Sequence, residues 1–123
     1  MPKQAHLESF IANSFRSVWA LDLLSHLAAN PGKFHSPDEL IAALRASDAV
    51  VSQSVDNLTA AGLAVVDGEG RAGYHQPSPE QDALVKEAIE FYARSPDKVR
   101  RLIVAQSTPG VTAFADAFKL RKD

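Results

Sequence analysis

The stretch that decides the fold is SPDELIAALRASDAVVSQSVDNLTAAG, residues 36–62. It opens with a serine able to cap a helix, a proline suited to the first helical turn and a glutamate spaced to complete a capping box. The next apolar residues, Leu40, Ile41 and Leu44, share one helical face. A short capped helix is therefore predicted at the start of the stretch.

A second capped helix is predicted after a turn at Arg45. Ser47 provides its cap, and Val51, Val55 and Leu58 recur at the spacing of one helical face. These apolar side chains are predicted to pack inward. The opposite, open face is predicted to carry Ala49, Val50, Ser52, Gln53 and Asn57.

The segment before this pair of helices is predicted to be one long amphipathic helix. Between Leu7 and Ala29 its apolar residues recur at three- and four-residue intervals. The Asn-Pro-Gly of residues 30–32 then ends the helix, because proline lacks an amide hydrogen and glycine accepts a left-handed conformation.

The segment after the pair is predicted to form a hairpin and three further helices. Residues 63–66 and 74–76 flank a glycine-rich turn, which indicates a two-stranded wing. Two Ser-Pro pairs then start helices near 79–93 and 96–106, and a last helix is predicted near 112–120.

The whole pattern predicts a mainly α-helical fold with a small β-hairpin: a winged helix-turn-helix with additional N- and C-terminal helices. We expect a single domain over residues 1–123, since a chain of this length has room for one sizeable core. Within it, the helix-turn-helix occupies about 36–62, the wing about 63–77 and the C-terminal helices about 79–120.

Composition narrows the classes of function. No apolar stretch approaches the roughly 20 residues that span a bilayer, and the first residues lack the apolar stretch of a secretory signal, so a cytoplasmic protein with no membrane partner is expected. The absence of cysteine excludes disulfides, iron–sulfur clusters and thiolate zinc sites. The four histidines lack metal-ligand spacing, and the chain has no nucleophile elbow or phosphate-binding glycine loop. We therefore expect no metal, no cofactor and no enzymatic activity.

Residues 49–63, AVVSQSVDNLTAAGL, resemble the recognition-helix segment of bacterial MarR-type regulators, which commonly ends in a leucine, a few helical residues and Gly-Leu. The resemblance extends over about residues 34–77. It implies that the helix near 48–61 enters the major groove of DNA and that the turn at 67–73 is a wing near the DNA backbone. The last ten residues, 114–123, are similar to the ending of small bacterial helix-turn-helix proteins, which also favours a bacterial origin.

The resemblance implies a transcriptional regulator that binds duplex DNA through this helix and wing. The amides of Gln53 and Asn57 are suited to adenine edges, whereas hydroxyl and guanidinium groups are suited to phosphate oxygens. The candidate DNA-binding residues are Ser47, Ser52, Gln53, Ser54, Asn57, Arg45 and Arg71.

The distribution of charge leaves a second interpretation open. The helix near 48–61 contains two aspartates and no lysine or arginine, so it supplies little of the attraction to phosphates on which duplex affinity depends. The basic part of the chain is residues 98–123, with six basic and two acidic side chains. The alternative is a protein-protein interaction module that uses the acidic helix and the helix carrying Phe114 and Phe118 as contact surfaces.

A homodimer is also expected. The first helix and the C-terminal helices carry more apolar surface than a minimal winged domain requires, and a palindromic site would double the contacts of a weakly basic helix. The predicted dimerisation residues are Phe10, Phe15, Trp19, Phe114 and Phe118.

Overall fold

The computed structural model describes residues 2–75 and 78–107. The elements in this part of the chain are α1 (Pro2–Ser14), α2 (Val18–Ala29), α3 (Pro37–Leu44), α4 (Asp48–Ala60), β1 (Ala64–Val66), β2 (Ala72–Tyr74), α5 (Pro79–Arg94) and α6 (Pro96–Ser107). This order of helices around one antiparallel hairpin confirms the predicted winged helix-turn-helix. The helix predicted near 112–120, with Phe114 and Phe118, lies outside the described residues.

The caps predicted for α3 and α4 are present. Ser36 Oγ accepts the Glu39 N–H at 3.2 Å, and the Glu39 carboxylate accepts the Ser36 N–H at 2.7 Å, which completes the capping box. Ser47 Oγ accepts the Val50 N–H at 3.2 Å and begins α4. Between them the chain turns through Arg45, whose backbone lies in the left-handed region at φ 54° and ψ 45°.

The long N-terminal helix predicted from the sequence is wrong, because α1 and α2 are separated by a break at residues 15–17. Ser17 has an extended backbone, and its Oγ caps the first turn of α2. Asn57 of α4 bonds both sides of the break: its Nδ2 donates to the Ser14 carbonyl and its Oδ1 accepts the Arg16 N–H, each at 2.8 Å. These bonds satisfy backbone groups that an uninterrupted helix would have paired within itself.

The hairpin closes earlier than predicted, with β2 at Ala72–Tyr74 instead of residues 74–76. The Asp67 carboxylate sets this tight turn, because its Oδ1 accepts the N–H groups of both Glu69 and Arg71 at 2.9 Å. The strands can therefore pair directly after Arg71.

His35 ties the wing to the helical body. Its N–H and carbonyl form two hydrogen bonds of 2.9 Å with Ala72, and its buried ring lies 4.9 Å from that of His26 on α2. The preceding Phe34 covers Gly73, where an added Cβ would lie only 3.1 Å from the ring. The Phe34 ring therefore packs directly on the backbone of the wing at Gly73.

Buried side chains from all six described helices belong to one hydrophobic cluster. In it α2 packs against α3, α4 and β2, while α1 packs against α5 and α6. Phe15, at the α1–α2 break, is only 1% exposed, so its prediction as a dimerisation residue is wrong. Phe10 is half-buried and packs edge-on against Phe15, whereas Trp19 is 40% exposed.

No helix within the described ranges has the length and apolar composition needed to cross a membrane.

Candidate nucleic-acid interface

The outward face of α4 is built from Ser52, Gln53 and Asp56. Asp56 follows Ser52 by four residues and Gln53 by three, so the three exposed side chains are neighbours on one side of the helix. The other side of α4 packs against α2 and α3. The hydroxyl and amide expected on this face are thus present, and they flank a carboxylate.

Two predicted DNA-binding residues are not on that face. Ser54 and Asn57 are only 3% and 7% exposed. Ser54 follows Val51 by three residues and precedes Leu58 by four, which places it on the inward face. Both groups of the Asn57 amide are bonded to the α1–α2 break. The prediction that Asn57 faces outward is therefore wrong, and neither side chain is positioned to contact DNA.

Arg45 and Ser47 lie at the start of α4, and both are exposed. The Ser47 oxygen accepts the Val50 amide, which leaves its hydroxyl hydrogen as a donor. Within the described ranges no ion pair involves Arg45. The turn between α3 and α4 thus presents a guanidinium and a hydroxyl next to the outward face of α4.

The cation of the wing is already paired with acids. Arg71 Nε lies 2.8 Å from Asp67 Oδ2, and Arg71 Nη2 lies 3.4 Å from Glu69 Oε2. Hydrogen bonds, chiefly from the Arg71 N–H, hold the pKa of the Asp67 carboxyl below its usual value. Asp67 therefore stays ionised near neutral pH, and the turn has a formal net charge of −1.

The helix-turn-helix and wing together are acidic. Residues 36–71 contain six acidic and two basic side chains, a formal net charge of −4. One of these six acids, Asp56, lies on the outward face of α4. None of the three side chains of that face is a cation, so a duplex bound there would depend on cations outside the face for electrostatic attraction.

Arg16 is one such cation, and sequence reasoning missed it. It is exposed, and with Ser17, Gln53, Asp56, Asn57 and Ala60 it lines an open cleft of about 510 Å³ beside α4. The apolar pattern of the N-terminus concealed the break that brings Arg16 there. The available signal was Ser17, a residue type that favours helix caps.

A second, more apolar cleft lies on the other side of α4, between α3 and the wing. It measures about 230 Å³, and its apolar lining includes Leu40, Val51 and Val66. Asp48 and Asp56 also line it. This combination suits an apolar or basic side chain of another protein better than a phosphate.

The chemistry on these surfaces is hydrogen bonding and ion pairing. Among the described residues, no three His, Cys, Asp or Glu side chains are grouped so as to hold a metal ion. Tyr74 Oη donates to Asp82 Oδ1 at 2.6 Å and, with Lys86, holds the pKa of the Asp82 carboxyl below its usual value. That cluster joins β2 to α5 and stands apart from the outward face of α4.

Residues 17–72 match the model of the MarR family. This part of the chain is a MarR-like winged helix. The match begins at the Ser17 cap of α2 and ends at the first residue of β2, so it contains α4 and most of the wing. It leaves α1, α5 and α6 outside the MarR-like segment. Neither curated proteins nor solved structures gave a match to the chain.

Proposed function

We propose that this chain is a bacterial transcriptional regulator that binds duplex DNA through α4 and the wing. The observation that carries the proposal is the outward face of α4, which lies beside a hairpin in a segment that matches the MarR family. Recognition helices of this fold enter the major groove with their exposed side chains toward the base edges. Because such a regulator acts on chromosomal DNA, the proposal includes a cytoplasmic location and no enzymatic role.

In this proposal one group of residues contacts the base edges and a second group contacts the phosphates. Gln53 and Ser52 contact base edges, since the Gln53 amide can pair with adenine in two hydrogen bonds. Ser47, Arg45 and Arg71 contact phosphates and fix the orientation of α4. A homodimer would place two copies of α4 on successive half-sites and so double a weak electrostatic contribution.

The test is selection of preferred sequences from a pool of random duplexes at low salt. We expect the wild type to enrich a sequence, and Gln53→Ala to bind the pool while losing preference at the contacted base pair. Gln4→Ala, an exposed glutamine on α1, is the matched control and keeps the wild-type preference. Failure of the folded wild type to bind any duplex at low salt would overturn the proposal.

A second candidate is a protein-protein interaction module. It is favoured by the net charge of −4 over residues 36–71 and by the apolar cleft that Asp48 and Asp56 also line. Salt dependence separates the candidates: a DNA regulator loses affinity steeply between low and physiological salt, because phosphate contacts release counterions. Saturable binding to a basic, apolar peptide without any duplex binding would support the interaction module.

A further inference from the structure

We infer that Arg16 is a phosphate contact of the DNA bound by α4, made from the α1–α2 break instead of from the helix-turn-helix or the wing. The inference rests on the proposed function, because it concerns the same duplex. It assigns a residue that lies one position before the segment matching the MarR family.

The backbone of Arg16 is fixed against α4. Its N–H donates to Asn57 Oδ1 at 2.8 Å, while Asn57 Nδ2 donates to the Ser14 carbonyl at the same distance. Asn57 is 7% exposed, so these bonds lie largely out of competition with water. The position of Arg16 relative to the outward face of α4 is thus determined by the fold and not by a mobile loop.

The Arg16 side chain shares a cleft with that face. Gln53 and Asp56 line the cleft together with Arg16 and Ser17. Within the part of the chain that the structure describes, no ion pair involves the Arg16 guanidinium. An exposed arginine without an ion pair can bind a phosphate through two parallel hydrogen bonds, because the planar guanidinium matches the geometry of two phosphate oxygens.

The other candidate for this phosphate contact, Arg71, is already paired with carboxylates. Arg71 of the wing lies within 2.8 Å of Asp67 and 3.4 Å of Glu69, so a phosphate would have to compete with two carboxylates. Asp56 shares the cleft with Arg16, but within the described ranges it forms no ion pair with the guanidinium. Arg16 therefore supplies more of the phosphate attraction than the wing does.

The experiment measures affinity for a fluorescent 24-bp duplex by anisotropy at several salt concentrations. We expect Arg16→Ala to weaken binding about three- to tenfold at low salt and to reduce the slope of log affinity against log salt by about one per bound copy. Arg16→Lys keeps the charge and retains most of the slope. Arg101→Ala removes an exposed arginine from α6 and leaves both quantities unchanged. Circular dichroism melts confirm that each variant folds.

The outcomes separate this inference from the proposed function. If the wild type binds and Arg16→Ala behaves like Arg101→Ala, the Arg16 contact is rejected while DNA binding stands. If Arg16→Ala weakens binding but leaves the salt slope unchanged, Arg16 does not contact a phosphate, and the inference is also rejected. If the folded wild type binds no duplex, both proposals fail together.

Discussion

Asn57 is a polar residue in the interior of α4 that joins two distant parts of the chain. Its amide bonds the Ser14 carbonyl, 43 residues earlier in the chain, and the Arg16 N–H, 41 residues earlier. A buried amide with both ends paired to backbone fixes one arrangement of the elements it connects. Asn57 therefore sets the position of α1 relative to α4.

Asn57→Ala should lower the free energy of unfolding by about 2–3 kcal/mol, because it leaves the Ser14 carbonyl and the Arg16 N–H without partners in a buried setting. Urea unfolding followed by circular dichroism measures the change. Gln53→Ala, on the exposed face of the same helix, serves as the control and should change stability by less than about 0.5 kcal/mol. Equal stability of the two variants would contradict the structural role of Asn57.

The same residue shows where sequence reasoning reaches its limit. Apolar spacing predicts that Val51, Val55 and Leu58 face inward on α4, and their burial confirms it. The same pattern wrongly predicts that Asn57 faces outward, because a polar side chain in an amphipathic helix is usually solvated. Its partners lie more than 40 residues away, and no local pattern encodes them.

At the scale of elements, the wing depends on His35. The strand-like pairing of His35 with Ala72 holds the hairpin to the body, and among the residues that the structure describes the buried His35 Nε2 has no hydrogen-bond partner. Burial, helped by the charges of His26 and Lys33 and opposed by Glu39, lowers the pKa of His35 below 6.5. The ring is therefore neutral in the folded state at neutral pH.

This lowered pKa predicts a loss of stability in mild acid. The unfolded chain takes up the His35 proton near pH 6.5 and the folded chain only at lower pH, so the contribution to stability is full above pH 6.5 and declines as pH falls below it. Urea midpoints at pH 7.5, 6.5 and 5.5 should show this decline in the wild type. His35→Phe should flatten it, whereas His6→Gln, an exposed histidine on α1, should not. An unchanged decline in His35→Phe would rule out this source.

The ion pairs of the wing turn give a prediction about affinity. Glu69→Gln removes one of the two carboxylates that hold Arg71, so low-salt duplex affinity should rise about two- to fivefold, the scale of one exposed charge pair. Arg71→Ala should lower affinity across all sequences. Glu90→Gln, an exposed glutamate on α5, controls for net charge. Anisotropy titrations in which Glu69→Gln and Glu90→Gln behave alike would show that the pair does not restrain Arg71.

The elements also divide into those that the sequence could specify and those that it could not. The starts of α3, α4 and α5 are predictable because each has a serine cap, followed in α3 and α5 by a proline, and these signals act within one turn. The α1–α2 break was not, because the apolar pattern continues through Phe15 and Val18 while the decisive bonds come from α4. The position of β2 depended on a side-chain bond of Asp67 within the turn.

At the scale of the whole molecule, the proposed dimer contact lies on the apolar surface that α1 and α2 leave exposed. Phe10 on α1 is half-buried, and Trp19 on α2 is 40% exposed, so each retains apolar surface that a second copy could cover. Phe15 contributes to the core instead.

Light scattering should therefore give a mass of about twice 13.3 kDa at micromolar concentration. Trp19→Ser should shift the protein toward the monomer, because it removes exposed apolar surface from the proposed contact, without a large loss of stability. Val65→Ser, an exposed residue of the wing, is the control and should leave the mass unchanged. A monomeric wild type would contradict the dimer and with it the expected two half-sites.

The left-handed backbone of Arg45 lies at a proposed phosphate contact, so the stability of the turn and the proposed DNA contact depend on the same residue. The left-handed conformation destabilises the folded state by about 1–2 kcal/mol for a residue with a Cβ, as at Arg45. Glycine avoids this steric cost, although it loses more conformational freedom on folding. Arg45→Gly should therefore raise the melting temperature and at the same time weaken duplex binding, whereas Arg45→Asn, which tolerates this conformation, should weaken binding with little thermal change. With the proposed phosphate contact, selection for thermal resistance alone would favour loss of the guanidinium in the turn between α3 and α4, whereas selection for duplex affinity would favour keeping it.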